Sequence, residues 1–158
     1  MRTWAPRGPT PVLQYHFNWK VLSAAAGITW WSFYFRLYPT TIRAPQVVDF
    51  LGHLLRHLPG KLLVVWDGLP AHRARLVSEF IRVQRGRLAI EWLPGYAPEL
   101  NPDEMVWNYM KRTGTARKPL AKGESLHDRI DVELQQIQEN RALVRSFFRA
   151  ETVSYISD

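Results

Sequence analysis

Two acidic residues, Asp67 and Glu104, stand where the sequence changes from strand-like to helix-like. Asp67 follows the apolar run LLVVW, and Glu104 falls near the start of NPDEMVWNYMKR. The carboxyl ends of strands in open α/β sheets are where ligands and catalytic groups collect. Each acid also has a purely structural explanation: Asp67 as a helix cap, and Glu104 as the third residue of a capping box that begins at Asn101.

Taken together, the two acids are better explained as catalytic or metal-binding groups than as helix caps. The segment between them holds one predicted helix and one predicted strand, so both junctions can lie at the same edge of a sheet. Two convergent carboxylates suit Mg²⁺ or Mn²⁺, which take oxygen ligands, and phosphoryl transfer commonly uses two such ions about 3.5–4 Å apart. Pro94, Pro98 and Pro102 stiffen the loop that positions Glu104. Asp103 projects about 100° away on the same helix and is not part of the site by default.

The charge of the chain points to a polyanionic partner. Lys and Arg number 21 against 14 Asp and Glu, for a net charge of +7, and no acid precedes Asp49. A basic domain of this size favours nucleic acid, although solubility alone is the simpler alternative. The acid-free stretch after Glu104 supplies the candidate DNA-binding residues, which are Lys111, Arg112, Arg117, Lys118 and Lys122.

The pattern of elements predicts one α/β domain over residues 1–158. Strands are expected over 19–27, 28–38, 61–67 and 88–94, with helices over 44–60, 70–86 and 101–112 and one or two more over 125–148. Hairpin strands that lead into βαβ units predict a mixed sheet with helices on both faces. The runs KLLVVWD and LAIEWLP predict strands buried on both faces. The absence of a membrane-length apolar run and of a signal-peptide pattern favours an intracellular protein.

Two blocks, KLLVVWDGLPAHRA and WLPGYAPELNPDEMVWNYMKR, carry a resemblance to a known family. They resemble the catalytic core of DDE-superfamily transposases of the mariner-like insertion-sequence group, and RTWAPRGPTPVL resembles the segment after that group's first catalytic strand. The resemblance implies a ribonuclease-H-like fold and divalent-metal-dependent cleavage and strand transfer on double-stranded DNA. It also leaves room for a homodimer and for association with the bacterial nucleoid. It matches Asp67 to the second catalytic and metal-binding acid and Glu104 to the third.

The chain departs from that group in two respects. Gly68 stands where the group usually has Asn, and nothing before Asp49 can supply the first catalytic acid, so we expect the first strand to be missing and the chain to be inactive alone. Asp49 lies within a predicted helix and is a poor substitute. His72 matches a histidine that often follows the second acid, or it is a helix-surface residue. The alternative function is a non-catalytic nucleic-acid-binding or assembly remnant.

Overall fold

A computed structural model describes residues 21–95, 97–113, 120–121, 123–149 and 153. Within these residues, four strands and five helices follow one another. The strands are β1 (Ser23–Ile28), β2 (Phe33–Tyr38), β3 (Leu62–Trp66) and β4 (Leu88–Trp92), and the helices are α1 (Ala44–His57), α2 (Arg75–Val83), α3 (Pro102–Thr113), α4 (Leu126–Glu139) and α5 (Arg141–Ser146). Short 3-10 turns span Pro98–Leu100 and Phe147–Arg149. In the described part of the chain, no helix is both long and apolar enough to cross a membrane.

Helix α1 forms where apolar residues recur at helical spacing behind an N-terminal proline. Pro45 occupies the first turn, where its missing N–H costs nothing. The side chain of Gln46 accepts a hydrogen bond from the Arg43 backbone at 3.0 Å, which closes the helix start. One face of the helix is then buried, through Val47, Phe50, Leu51, Leu54 and Leu55.

The four strands form two pairs. β1 and β2 are an antiparallel hairpin, and β3 and β4 run parallel around the α2 crossover. Among the described residues, no backbone hydrogen bonds join one pair to the other. Antiparallel and parallel pairing both occur, as the sequence predicts, but the single mixed sheet is not observed.

Two hydrophobic clusters hold these pairs. In the first, Phe33 of the hairpin packs with Val106, Leu134 and Val144 of the three C-terminal helices. In the second, Val47 and the neighbouring apolar residues of α1 pack with Trp66, Val77 and Leu88 of the β3–α2–β4 unit. Helix α1 also reaches the hairpin, because a Cβ placed on Gly27 would lie 3.6 Å from the Phe50 ring.

The prediction that β3 and β4 are buried on both faces is wrong. Leu62, Val64 and Trp66 pack towards α1 and α2, whereas Leu63 and Val65 are 58% and 52% exposed. No described helix covers the second face of β3, so its apolar residues there meet solvent. Composition alone cannot reveal this exposure. An apolar run shows that a strand tends to be buried, but it does not show whether another element packs against each face. Leu76, at the start of α2, is a further exposed apolar residue.

Candidate active site

A cavity of about 760 Å³ brings together the acids at the carboxyl end of β3 and the start of α3. Asp67, Asp103 and Glu104 all line it, together with His72. The parallel pairing places the ends of β3 and β4 side by side, with the Leu93 N–H donating to the Trp66 carbonyl at 2.9 Å. The loop after β4 then leads into α3. The structure therefore brings the two sequence-predicted acids to one cavity.

Asp67 is held in one orientation while part of its carboxylate stays accessible. Its Oδ1 accepts a hydrogen bond from the Leu69 N–H at 3.3 Å and lies 2.8 Å from His72 Nδ1. The same Nδ1 lies 3.0 Å from the Asp67 carbonyl oxygen. Both oxygens can only accept, so Nδ1 carries the proton. The Asp67 side chain remains 49% exposed and can accept a further ligand.

The His72 ring is fixed from its other side by Trp66. The two rings stack with centroids 4.3 Å apart and planes 2° from parallel, and the His72 side chain is only 18% exposed. A histidine on a helix surface would be mobile and hydrated. The stack and the contact with Asp67 instead make His72 a positioning residue for that carboxylate.

In the structure, the Glu104 side chain does not act as the third residue of a capping box. Asn101 Oδ1 caps α3 by accepting from the Asp103 N–H at 3.1 Å, and the Asn101 carbonyl accepts from the Glu104 N–H at 3.0 Å. The Glu104 carboxylate, in contrast, makes no hydrogen bond with any described residue. It is half-buried and lines the cavity. Because the helix start is satisfied without it, the carboxylate is available for another partner.

Asp103 is a third carboxyl at this end of the cavity. Its Oδ1 is out of contact with solvent and has no hydrogen-bond partner in the described part of the chain. Burial, with a smaller contribution from the neighbouring Glu104 charge, raises the pKa of Asp103 to about 7. No pattern in the sequence predicts burial at this position, because acids in a first helical turn are usually exposed.

A basic residue that sequence reasoning missed, Arg73, lies close to Gly68. The Arg73 guanidinium lies over the Trp92 ring, 5.0 Å from its centroid. A Cβ added at Gly68 would come within 2.7 Å of Arg73 Nη2, so glycine leaves room for this side chain. The sequence carries no pattern that places Arg73 near Gly68, five positions earlier.

Asp49 is occupied elsewhere, which supports the expectation that it is a poor substitute for a catalytic acid. Arg36 Nη1 lies 3.2 Å from its Oδ1, and the Tyr38 hydroxyl donates to its Oδ2 at 2.7 Å. Burial, and then the hydrogen bond to Asp49, raise the pKa of Tyr38 above its usual range. Asp49 does not line the cavity that holds the other three acids.

The predicted DNA-binding residues are only partly covered by the structure. Lys111 and Arg112 lie exposed in the last turn of α3. Arg117, Lys118 and Lys122 lie outside the described residues.

The fold and the sequence both have matches among known proteins. Residues 1–127 match the DDE superfamily endonuclease family. The catalytic domain of Mos1 mariner transposase is similar in fold, with a TM-score of 0.65 at 15% identity over 84% of this chain and 72% of that one. The Mos1 strand transfer complex gives a TM-score of 0.69 at 16% identity, over the whole of this chain and 50% of that one. A comparison with curated proteins gave no match.

The family match covers most of the chain, so the protein belongs to the DDE superfamily endonucleases. Its fold is similar to that of the mariner transposase catalytic domain, which is ribonuclease-H-like. The chain spans half the length of the transposase in the strand transfer complex. A further similar structure is that of the Mos1 catalytic domain with raltegravir and Mn, at a TM-score of 0.61 and 15% identity over 85% of this chain and 75% of that one.

Proposed function

We propose that this chain is a transposase catalytic domain for divalent-metal-dependent DNA cleavage and strand transfer, with Asp67 and Glu104 as metal-binding acids. One observation carries the proposal: a carboxylate held by His72 and a carboxylate with no described partner line the same cavity, at the end of a parallel strand pair. Mg²⁺ and Mn²⁺ bind such oxygen ligands. Family membership and the Mn-containing Mos1 structure support the same chemistry.

The residues present fit such an ion in part. Asp67 and Glu104 would hold it, and the orphaned Oδ1 of Asp103 shows that a buried carboxyl oxygen in the same cavity still lacks a partner. A bound ion would polarise the phosphate and activate the attacking hydroxyl. The task of this chain is to hold the acids in place, through the His72 Nδ1–H and the Leu69 N–H on Asp67 and through the capped start of α3 under Glu104.

Two acids are too few for full activity. Two ions at close range repel one another and need several carboxylate oxygens to offset that repulsion. Within the described residues, no group of three or more acidic, His or Cys side chains is arranged to hold a metal. We therefore propose that the chain alone cleaves DNA poorly and that a further acid from outside the described residues completes the site.

Manganese binding tests the site without requiring turnover. Electron paramagnetic resonance titration of Mn²⁺ is expected to show a weak site in the wild type that Glu104→Gln removes. Glu99→Gln is the matched control, because Glu99 is exposed on the neighbouring 3-10 turn and does not line the cavity. Equal Mn²⁺ binding by the wild type and Glu104→Gln would contradict the proposed metal role of Glu104.

The shortage of acids also supports a second candidate function, a DNA-binding or assembly module without cleavage activity. The two functions differ in one assay. A chain extended upstream by about 20 residues is expected to cleave a DNA duplex with Mg²⁺ or Mn²⁺ if the catalytic proposal is right, and the extended chain carrying Asp67→Asn is not. Binding of duplex DNA by an extended chain that never cleaves it would favour the second candidate.

A further inference from the structure

The turn between β1 and β2 presents a tryptophan to solvent. Trp31 is 62% exposed, more than any other large apolar side chain in the described part of the chain. The cavity that holds the acids is lined by Trp30 but not by Trp31, so the exposed ring belongs to a different surface. Because an exposed indole buries little apolar area, the hydrophobic core does not explain its presence.

Hydrogen bonds fix the backbone of this turn. The Thr29 N–H donates to the Ser32 carbonyl at 2.8 Å. The Thr29 hydroxyl oxygen accepts from the Ser32 N–H at 3.0 Å and from the Trp31 N–H at 3.3 Å. On the other side of the turn, the Trp30 ring packs against Phe148 with centroids 5.1 Å apart. The Trp31 ring is therefore presented from a rigid backbone, which loses little conformational entropy when a ligand binds.

Arg145 of α5 lies against both tryptophans. Its guanidinium carbon is 5.1 Å from the centroid of Trp31 and 5.9 Å from that of Trp30. The Arg145 side chain is exposed and makes no ion pair with a described residue. Arginine can lie over an aromatic ring while its N–H groups remain available to phosphate oxygens. Trp31 and Arg145 therefore offer a ring face and a phosphate-binding group side by side.

The surface around this pair is basic. Arg141, one turn earlier on α5, and Arg149, on the following 3-10 turn, are both exposed. Neither residues 21–48 nor residues 140–149 include an acid, and the nearest acid before α5 is Glu139 at the end of α4. A basic surface favours a polyanion, and an exposed aromatic ring on it favours a polyanion that carries bases.

The geometry points to a base-stacking surface: we infer that Trp31 and Arg145 bind an unpaired nucleotide of DNA, with the base on the Trp31 ring and a phosphate against Arg145. Inside a duplex both faces of a base are covered by its neighbours, so a ring on a tight turn reaches only unpaired or terminal bases. The choice of DNA rests on the proposed function. The surface holds a strand and contributes no group to the reaction, because it lies outside the cavity of the acids.

Fluorescence anisotropy of a labelled oligothymidine, about ten nucleotides long and titrated with the full chain in EDTA, tests this surface. Trp31→Ala should weaken binding at least about fivefold, as expected for one lost base–aromatic stack, and Trp31→Phe should retain most of the affinity. A strand of the same length made of abasic sites keeps the phosphates but has no bases. It should bind the wild type at least about fivefold more weakly than oligothymidine does.

Tryptophan fluorescence separates stacking from a structural role of the ring. Oligothymidine should quench part of the emission of the wild type, and this part should be lost in Trp31→Phe although that variant still binds the strand. The thermal midpoint of Trp31→Ala should stay close to that of the wild type, because the ring is already mostly exposed. Since no metal is present and the acids are unchanged, failure here is distinct from failure of the catalytic proposal.

Arg145→Ala and Arg82→Ala form a matched pair for the phosphate contact. Both arginines are exposed, but Arg82 lies on α2, which packs in the other hydrophobic cluster. Arg145→Ala should reduce the slope of log affinity against log salt by about 0.7, as expected for one lost phosphate contact to a single strand. Arg82→Ala should leave the slope unchanged. Trp31→Ala should also leave it unchanged, because stacking releases no counterion.

Five results would overturn the inference. The oligothymidine fails to bind the wild type, or the abasic strand binds equally well, so that charge alone is responsible. The quenching persists in Trp31→Phe. Oligouridine binds more tightly than oligothymidine, which would make RNA the ligand. Finally, sedimentation shows that the wild type self-associates and that Trp31→Ala abolishes this, so that a second copy of the chain covers the ring.

Discussion

Asp49 and Glu104 are both half-buried carboxylates on helices, yet their surroundings are opposite. Asp49 has a guanidinium at 3.2 Å and a tyrosine hydroxyl at 2.7 Å, which join α1 to the hairpin. Glu104 has no described hydrogen-bond partner and sits beside Asp103, whose own Oδ1 is orphaned. A carboxylate with satisfied oxygens contributes to the fold. A buried carboxyl oxygen without a partner costs stability, and acids perturbed in this way are characteristic of functional sites.

The largest expected effect is on Mn²⁺ binding, which should depend on the acids of the cavity and not on Asp49. Asp67→Asn should weaken Mn²⁺ binding by about a hundredfold or more, because losing an outer-shell partner of a metal ligand already costs about 10- to 100-fold and losing a ligand costs more. Asp49→Asn should leave Mn²⁺ binding unchanged. Titration calorimetry of the two variants measures the difference. If both variants lose the metal equally, the two carboxylates do not differ in the way proposed here.

Asp103→Asn should stabilise the protein at neutral and alkaline pH. With a pKa of about 7 in the folded state and about 3.9 when unfolded, Asp103 binds more protons in the native state between these values, so stability falls as the pH rises through that window. The full shift corresponds to about 4 kcal/mol. Because the residue as a whole is only half-buried, we expect about half of this.

Urea unfolding at several pH values measures that effect. The asparagine variant should exceed the wild type by about 2 kcal/mol at pH 8, and the difference should vanish near pH 3, where both the native and unfolded wild type are protonated. A constant difference across the whole range would mean that Asp103 does not titrate as proposed.

These predictions depend on structural features, only some of which can be predicted from the sequence. The helical spacing of Val47, Leu51 and Leu54 predicts α1 and its buried face, because that information is local. The strand ends place Asp67 and Glu104 near one another for a similar reason, since the parallel crossover is encoded in the order of elements. The hydrogen bonds between Asp49 and the hairpin leave no such pattern in the sequence, because only tertiary packing brings these residues together.

The burial of Asp103 and the exposure of Val65 were not predictable for the same reason. Both depend on which surfaces are covered by other elements. The apolar or acidic residues of a short stretch of sequence do not show which surfaces these are. The position of Arg73 over Trp92 also arises only when the loop after β3 folds back towards β4.

Tyr38→Phe should produce a smaller effect confined to the Asp49 region. The hydroxyl donates to Asp49, and its removal should lower the free energy of unfolding by about 1 kcal/mol at neutral pH, the usual contribution of such a bond. Tyr34→Phe is the matched control, since the Tyr34 hydroxyl has no hydrogen bond to a described residue. Chemical denaturation compares the two, and equal losses would show that the Asp49 bond adds nothing. Mn²⁺ binding should stay the same in both variants.

The smallest effect concerns DNA. Lys111→Ala should weaken duplex binding a few-fold and reduce the slope of log affinity against log salt by about one, as expected when one phosphate contact is lost. Lys61→Ala, an exposed lysine just before β3, is the control. A salt titration followed by anisotropy measures both slopes. Identical slopes in the two variants would remove Lys111 from the DNA-binding surface.

The hydrogen bond between Gln138 and Phe33 has a consequence for the order of folding. Gln138 Nε2 donates to the Phe33 carbonyl at 2.7 Å, across 105 positions of the chain, and Phe33 finds its core partners in α3, α4 and α5. The segment from α1 to β4, in contrast, packs with its near neighbours. Since long loops close slowly, we expect this middle segment to become structured first during translation. The hairpin, although made earlier, then waits for the C-terminal helices to leave the ribosome.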